Sequence, residues 1–343
     1  MHSHGTLWRA TAAAVLAGTA TAVAAALAAP PSDGRESFRR PAALVDDGSA
    51  ARNLVWQLGR QLFFDASLSG SGRTSCATCH QVALSWSDTR PKAIGDNGRA
   101  LPFKAPTLFN VGGLDRLGWT GKFADTASVS FFAMSSAANM NMPLTELVRR
   151  LRVTPTYVAA FRAAFGHDVI MQDDVAAAIT RYVNSITSAE APFDRWVEGD
   201  EAAISSEAKR GFAVFNGKAR CSECHSGWSL TDGSFHDIGT SENDPGRGAF
   251  FKTSVKLQHA FKTPTLRGVA ERAPYFHDGS RATLEDVIDL YDRGGIARPS
   301  RAEAIQPLGL SPAEKAELKA FLTTLSGGTA FVMRPEAAPL ASN

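Results

Sequence analysis

The feature that most constrains this chain is a five-residue motif that occurs twice, as CATCH at residues 76–80 and as CSECH at residues 221–225. The pattern C-x-x-C-H is the attachment signature of a c-type haem, in which both thiols bond the porphyrin and the adjacent histidine can bind its iron. The chain has four cysteines, and the two motifs use all of them: Cys76, Cys79, Cys221 and Cys224. We therefore expect two covalently bound haems with His80 and His225 as proximal ligands. Zinc or disulfides are the alternative use of these thiols.

The first residues predict export. Residues 1–9 contain Arg9 and no acid, and residues 10–28 consist almost entirely of Ala, Val, Leu and Thr. The apolar stretch is short, ends in the small-x-small pattern of residues 26–28 and is followed by Pro30, which is typical of a secretory signal peptide rather than a membrane span. We expect residues 1–28 to be removed and the mature chain to be periplasmic with no membrane span. An uncleaved anchor is the alternative.

Composition excludes few classes of protein. The chain is 44% hydrophobic and 20% charged, with a formal net charge of +2. No basic run or interleaving of basic and aromatic residues indicates nucleic-acid binding. Residues 29–50 are rich in Pro, Ala and Asp and predict a linker.

Helical periodicity recurs through the rest of the chain, and alternating strand patterns are scarce. We therefore expect a mainly α-helical protein. The predicted helices begin near Ala51 and cover residues 124–133, 147–151, 156–165, 175–187, 206–215, 284–291 and 312–325.

An internal repeat relates the two halves of the chain. The haem motifs are 145 residues apart, and the sequence KAPTL at residues 104–108 matches KTPTL at residues 262–266 at an offset of 158. The same offset pairs Gly121 with Gly279. We therefore expect two cytochrome c-like haem domains related by duplication. The predicted boundaries are residues 51–190 and residues 191–330, with a tail at residues 331–343.

The repeat also allows the far sides of the two haems to be compared. Leu284, Ile288 and Tyr291 recur at helical spacing and share one helix face. At the offset of 158, Tyr291 corresponds to Ala133. If this face covers the haem, a phenol can reach the second iron, whereas the first iron meets only a methyl group.

These motifs resemble the bacterial di-haem cytochrome c peroxidase/MauG family. The resemblance covers nearly all of the mature chain and rests on specific segments. These are GRQLFFD at residues 59–65, both haem motifs, APTLFN at 105–110, TPTLR at 263–267 and PYFHDG at 274–279. It implies that the N-terminal haem meets hydrogen peroxide and that the C-terminal haem is six-coordinate and exchanges electrons. It also implies that Trp119 lies between the haems as an electron relay, although plain core packing is the alternative for this residue.

Two departures from the peroxidase pattern concern the iron ligands. Tyr291 stands where typical peroxidases have a methionine, as in the MauG subgroup, and tyrosinate favours ferric or higher iron. A simple core tyrosine is the alternative. No histidine lies between His80 and His167 to supply the usual distal ligand, so we expect the N-terminal haem to be open. Three methionines offer either a replacement ligand or mere packing: Met134, Met140 and Met142.

Two further departures concern catalysis and metal binding. Asn139 stands where the family has a distal glutamate, and an amide can hold peroxide but cannot carry its proton. General acid–base help is worth ~10²–10⁴-fold, so we expect slow peroxidase turnover. A loop-capping amide is the alternative for Asn139. Lys104 stands where the family usually has an asparagine that helps to bind calcium, so we expect no calcium.

Three histidines outside the motifs are candidate ligands that we assign more ordinary roles. His277 belongs to the His-Asp-Gly turn and is expected near a haem propionate. His236 and His259 are expected to be surface or loop residues.

The function predicted from the sequence is a periplasmic di-haem oxidoreductase that activates hydrogen peroxide at the N-terminal haem. Its electrons are expected from a small redox protein, either a c-type cytochrome or a cupredoxin, or from a protein substrate as in MauG. The alternative is a non-catalytic di-haem protein that transfers electrons or senses.

Overall fold

The computed structural model describes residues 1–2, 33–41, 53–327 and 331–333. The predicted signal peptide lies almost wholly outside these residues, as do most of the predicted linker and most of the tail. Within the part that is described, no helix has both the length and the apolar character needed to cross a membrane.

The described residues are mainly α-helical, which confirms the predicted class. Most predicted helices are present with boundaries shifted by a few residues. A further short helix, Pro192–Val197, is not predicted by the periodicity. The helices are α1 Leu54–Phe64, α2 Cys76–Cys79, α3 Thr126–Ser135, α4 Leu144–Arg152, α5 Pro155–Phe165, α6 Gln172–Asn184, α7 Pro192–Val197, α8 Ser206–Asn216, α9 Leu284–Asp292 and α10 Pro312–Thr323.

Among the described residues, four short strands form two antiparallel pairs. Strand β1, Ile186–Ser188, pairs with β4, Phe331–Met333, and β2, Phe235–His236, pairs with β3, Phe261–Lys262. The helix predicted to reach residue 187 therefore ends at Asn184. Ile186 and Thr187 are β-branched and favour the extended conformation that pairs with the tail.

The N-terminal half has its own core, in which α1 crosses α6 at close range. A Cβ atom added to Gly59 would lie 1.9 Å from the carbonyl oxygen of Ala178, so only glycine allows this approach. Asn53 caps α1, since its side chain accepts a hydrogen bond from the amide of Trp56. The core includes Leu58, Leu62, Phe63, Trp86, Phe161, Ile179 and Tyr182.

The C-terminal half has a second core built on the same plan. Helix α8 crosses α10, and a Cβ atom added to Gly211 would lie 1.9 Å from the carbonyl oxygen of Glu317. Ser311 begins α10 with the predicted capping box, in which its side chain accepts from the amide of Glu314. The core includes Phe193, Phe212, Phe215, Leu318, Phe321 and Leu322.

Residues 33–41 differ from the linker predicted for residues 29–50. They contain a short 3-10 helix, Arg35–Phe38, whose Phe38 ring lies 5.6 Å from that of Phe212 in the C-terminal core. Arg35 donates to Glu201 at 2.6 Å. This part of the segment is packed because its one large aromatic residue finds an apolar site on the C-terminal half.

The two halves repeat backbone features at the offset of 158. Asn110 and Gly268 both have positive φ, and each precedes a 3-10 turn. Helices α3 and α9 begin at Thr126 and Leu284, again 158 residues apart. The loops that follow the haem motifs are therefore held in similar shapes in both halves.

Candidate haem sites

Both motif histidines are oriented by a backbone carbonyl of the loop that follows the motif. Nδ1 of His80 lies 3.1 Å from the carbonyl oxygen of Trp86, and Nδ1 of His225 lies 3.0 Å from that of Leu230. A proton on Nδ1 leaves Nε2 as the atom that can bind a metal. Burial lowers the pKa of both histidines, which favours the neutral, ligating imidazole.

The four motif cysteines form no disulfides with one another. Burial, with a smaller contribution from the neighbouring cysteine, raises the pKa of Cys76 and of Cys221 to about 12. A structural zinc site takes four ligands, which are Cys, His or carboxylate side chains that converge on one point. Among the described residues, the one cluster of three potential metal ligands contains Cys224, Asp232 and His236 and thus only one cysteine of a motif. The donors therefore fit thioether attachment of haem better than zinc.

The threonine of each Pro-Thr-Leu sequence holds the loop behind its haem motif. Thr107 Oγ1 donates to the carbonyl oxygen of Ser85 at 2.6 Å, and Thr265 Oγ1 donates to that of Ser229. The next residue in each loop supplies the carbonyl that orients the motif histidine. The repeated motif therefore has a structural role in positioning the proximal side.

Arg267 adds a support that the N-terminal half lacks. Its guanidinium is fully buried, donates to the carbonyl oxygen of Trp228 and bonds Asp194 of α7 at 2.6 Å. At the offset of 158 the N-terminal half has Phe109 instead. The carbonyl of Leu230 thus lies in a loop held by a charged pair, whereas the equivalent loop is held by the aromatic core around Trp86.

Tyr291 lies on α9 facing the second haem motif. Burial raises the pKa of its phenol, and the nearby Cys221 and Cys224 raise it further. Its ring is 6.3 Å from that of Phe276. Leu284 and Ile288 of the same helix are buried. The predicted helix face is therefore directed into the C-terminal half, with the phenol close to both attachment cysteines.

Three hydrogen bonds fix Trp119 and Lys104 at the junction of the two halves, and two of them involve Trp119 itself. Its Nε1 donates to the carbonyl oxygen of Lys104 at 2.8 Å, and its own carbonyl accepts from the amide of Lys262 at 2.8 Å. The amide of Lys104 donates to the carbonyl oxygen of His277 at 2.8 Å. The indole is half-buried, with its ring 6.4 Å from the His277 ring. Trp119 is thus held where the two repeats meet.

The ammonium of Lys104 occupies a cage of oxygen atoms. Nζ donates to the carbonyl oxygen of Asp88, and it lies 3.5 Å from that of Arg90 and 3.6 Å from Oδ1 of Asp88. Burial lowers the pKa of Lys104, and the charge of Asp88 opposes that shift. The side chain is only 4% exposed, so its charge acts inside the protein.

Asn139 and the three methionines lie in or after α3. The carbonyl of Asn139 accepts from the amide of Asp96, and the neighbouring residue 138 packs against Gly95. Burial raises the pKa of the Cys79 thiol, and a hydrogen bond with the backbone of Ile94 partly opposes that shift. Residues 94–96 therefore link Asn139 to the first haem motif. The three methionines are buried in the N-terminal core: Met134, Met140 and Met142.

The remaining histidines differ in their surroundings. His277 is 3% exposed and stacks on Phe261 with ring centres 3.6 Å apart. His259 Nδ1 lies 2.7 Å from the carbonyl oxygen of Asp244 in a loop, as expected. His236 is not an ordinary loop histidine, because Nε2 lies 2.7 Å from Asp232, and Asp232 and Cys224 together raise its pKa.

Two cationic side chains close to Trp119 and Lys104, where the two halves meet, were not identified from the sequence as functional candidates. Burial lowers the pKa of Lys262 to about 8, with no charged partner among the described residues. Burial lowers the pKa of Arg272 to about 10, and its guanidinium bonds the carbonyl oxygens of Thr265 and Gly268. Such cations fit the carboxylates that haem propionates would bring. The position of Lys262 within the repeated KTPTL sequence is the signal that could have found it.

Two cysteine–histidine sites with oriented imidazoles, on a mainly helical frame, define the class of c-type di-haem proteins. Comparison with known proteins agrees. Residues 54–202 match the model of the family described as di-haem cytochrome c peroxidase. A methylamine utilization protein MauG of Methylorubrum extorquens is 43% identical over 282 residues, which are 81% of this chain and 80% of that protein. Another from Methylophilus methylotrophus is 42% identical, covering 88% of this chain and 91% of that protein.

A solved structure gives the same assignment. The crystal structure of a MauG-like protein associated with microbial copper homeostasis matches with a TM-score of 0.75 and 29% identity, covering 84% of this chain and 92% of that one. The chain belongs to the di-haem cytochrome c peroxidase/MauG family. Membership implies two c-type haems, for which the two motifs are the evident sites.

Proposed function

We propose that the protein is a periplasmic oxidoreductase that activates hydrogen peroxide at an open haem over His80 and passes electrons through a second haem held by His225 and Tyr291. The observation that carries this proposal is the difference between the two distal sides. Tyr291 lies close to the second pair of cysteines, and the equivalent position of the first half is Ala133. The two halves are taken as domains, residues 51–190 and residues 191–330, related by duplication.

When bound through Cys76, Cys79, Cys221 and Cys224, the haems supply iron centres that change oxidation state. The protein supplies ligands and orientation. The carbonyls of Trp86 and Leu230 hold a proton on Nδ1 of each motif histidine, which makes Nε2 a better donor.

Tyr291 is assigned as the distal ligand of the C-terminal haem. The raised pKa of the free phenol means that it stays protonated at neutral pH unless a metal ion replaces the proton. As a phenolate it is a hard, anionic donor that stabilises oxidised iron. The C-terminal site is therefore suited to storing oxidising equivalents.

Trp119 is assigned as the electron relay between the halves. It bonds Lys104 of the N-terminal half, and its carbonyl bonds Lys262 of the C-terminal half. These contacts fix the indole with respect to both sites, which a relay requires.

Asn139 is assigned to the distal pocket of the N-terminal haem. An amide donates and accepts hydrogen bonds but has no proton to transfer at neutral pH. Peroxide turnover is therefore slower than in relatives that have a carboxylic acid at this position.

Lys104 is assigned as a substitute for calcium. The ammonium already sits among the carbonyl and carboxylate oxygens of residues 88–90, where a second cation would be repelled. The protein then needs no calcium to hold the two halves together.

The proposed partners are hydrogen peroxide and a protein. That protein is a c-type cytochrome or cupredoxin that donates electrons, or a protein substrate, since two relatives are methylamine utilization proteins. A signal peptide at residues 1–28 would deliver the chain to the periplasm.

A second function, non-catalytic electron transfer or sensing, is favoured by Asn139. Titrating the purified diferric protein with hydrogen peroxide separates the two. The enzyme is supported if the spectrum changes and is restored by a reduced donor over repeated turnovers. An inert spectrum supports the carrier and rejects peroxide activation.

A further inference from the structure

An exposed apolar and cationic patch lies in the C-terminal half, outside the sites described above. Phe250, Phe251 and Val255 are 52%, 44% and 59% exposed, and Lys252 and Lys256 beside them are also exposed. We call these five residues the Phe250 patch. The segment from residue 247 to residue 260 contains no aspartate or glutamate.

The loop that displays the patch is firmly built. The side-chain amide of Gln258 donates to three carbonyl oxygens of the loop, those of Phe251, Lys252 and Ser254, each at 3.2 Å. The loop also closes on itself, because the amide of Arg247 donates to the carbonyl of Ala260 at 2.8 Å. The exposed phenylalanines are therefore presented by an ordered scaffold. Exposed apolar groups on such a scaffold mark contact sites.

Arg247 connects the patch to the junction between the halves. Its guanidinium lies 4.9 Å from the ring centre of Phe251 and 4.0 Å from that of Phe235. Its Nη1 donates to the carbonyl oxygens of Thr120 at 2.7 Å and Gly121 at 3.1 Å. These two residues directly follow Trp119. One side chain thus bridges the exposed surface and the proposed relay.

We propose that the Phe250 patch docks a small redox protein whose apolar contact area is surrounded by carboxylates. This inference rests on the proposed function, since it names the surface through which a protein partner would reach Trp119. The phenylalanines supply desolvated contact area, and the two lysines supply charge that steers an acidic partner. Burial lowers the pKa of Arg247, and the positive charge of the exposed Arg116 lowers it further. The cationic field therefore extends beyond the loop.

A membrane surface or a second copy of the chain would also cover phenylalanines. Neither accounts for the anchoring of the loop on the residues next to Trp119. These occupants are therefore outcomes of the test.

The test measures binding without peroxide, so that it is independent of turnover. The probes are an acidic c-type cytochrome and a basic one, each mixed with the purified di-haem protein at low salt. Carbodiimide, which joins a lysine directly to a carboxylate in contact with it, is used for cross-linking, and mass spectrometry locates the joined residues. Dissociation constants are measured in parallel by calorimetry.

Two double variants are compared with matched controls. The first patch variant combines Lys252→Glu and Lys256→Glu, and its charge-matched control combines Arg99→Glu and Arg195→Glu at exposed positions. The second patch variant combines Phe250→Ser and Phe251→Ser. Its control removes two exposed apolar side chains elsewhere, by Val153→Ser and Val169→Ser. We expect cross-links from Lys252 or Lys256 to the acidic cytochrome. We also expect both patch variants to raise its Kd at least about tenfold, the control variants to leave it unchanged, and the basic cytochrome to bind the wild type weakly.

Several results would overturn the proposal. The proposal fails if the wild type does not bind the acidic cytochrome, or if the patch variants bind it as tightly as the control variants do. Cross-links that form only at lysines outside the patch would also contradict the proposal. Sedimentation with anionic phospholipid vesicles that is lost in the phenylalanine variant would reassign the patch to a membrane surface. Self-association that is lost in the same variant would reassign it to a second copy. If peroxide titration fails while binding persists, the surface stands and the peroxidase function does not.

Discussion

At the scale of single residues, two positions distinguish the candidate haem sites of the two halves. The motifs, their loops and the helices that follow correspond closely, yet Tyr291 corresponds to Ala133. The same offset pairs Arg267 with Phe109, so the proximal loops are also supported differently. Two halves with similar backbone features can therefore differ in the chemistry of their candidate sites through a few side chains.

Tyr291→Phe is expected to change the absorption and the reduction potential of the C-terminal haem alone. Loss of an anionic oxygen donor makes the oxidised iron less stable, so its potential rises. Spectroelectrochemistry measures both quantities. Tyr157→Phe, which removes a phenol oxygen bonded to Asp65 in the N-terminal half, is the matched control. An unchanged C-terminal spectrum in Tyr291→Phe would reject the ligand assignment.

Lys104→Ala is expected to lower the free energy of unfolding by about 2 kcal/mol, because the buried carbonyl oxygen of Asp88 loses its donor. The carboxylate of Asp88 also loses one of its two cations, whereas Arg90 stays paired with it at 3.1 Å. Millimolar calcium chloride should restore part of the loss, since the emptied cage consists of oxygen donors. Thermal unfolding with and without calcium checks both effects. The exposed Lys122 supplies the control, Lys122→Ala, which should show neither. Wild-type protein that already responds to calcium would contradict the role given to Lys104.

Sequence alone predicts the haem ligands, but it does not reveal their charged surroundings. The motif identifies His80 and His225 because its spacing is fixed by the chemistry of attachment. It could not reveal that Lys262 is half-buried and Arg272 buried, because their burial depends on contacts between distant segments. The proximity of His236 to Cys224 is likewise set by the pairing of β2 with β3.

At the scale of elements, each half depends on one close helix crossing. Gly59 lets α1 approach α6, and Gly211 lets α8 approach α10. Helices α1 and α8 each precede a haem motif in the chain, so the two crossings set where the motifs lie. The periodicity of the sequence predicted the four helices, since each has a continuous apolar face.

Gly59→Ala and Gly211→Ala are each expected to lower the free energy of unfolding by about 3 kcal/mol, because the new methyl group would overlap a carbonyl oxygen of the partner helix. Each should also reduce haem incorporation in its own half. Chemical unfolding and haem content per chain are the measurements. Gln61→Ala, at an exposed position of α1, is the control. Wild-type stability in both glycine variants would show that the crossings tolerate wider spacing.

Other elements could not be predicted, because their formation depends on distant partners. Strand β1 forms where a helix was expected, since the tail strand β4 pairs with it. The segment at residues 33–41 has the composition of a linker, yet Phe38 packs between Phe193 and Phe212. Neither partner is visible in the local pattern of residues.

At the scale of the whole molecule, the two halves are joined at a junction built from Lys104, Trp119 and His277. The amide of Lys104 bonds His277, and the indole of Trp119 bonds Lys104. The junction lies beside the half-buried Lys262, the buried Arg272 and the anchoring side chain of the Phe250 patch, Arg247. The proposed electron route therefore coincides with a hydrogen-bonded contact between the halves.

Low-temperature electron paramagnetic resonance of the purified diferric protein, with spins counted against protein, tests the central claim most directly. The account predicts two ferric irons per chain, one high-spin with an open or water-bound distal side and one low-spin with His225 and Tyr291. Two low-spin irons would show that both distal sides are closed by protein ligands. A total of one iron per chain would show that the two motifs do not both carry haem.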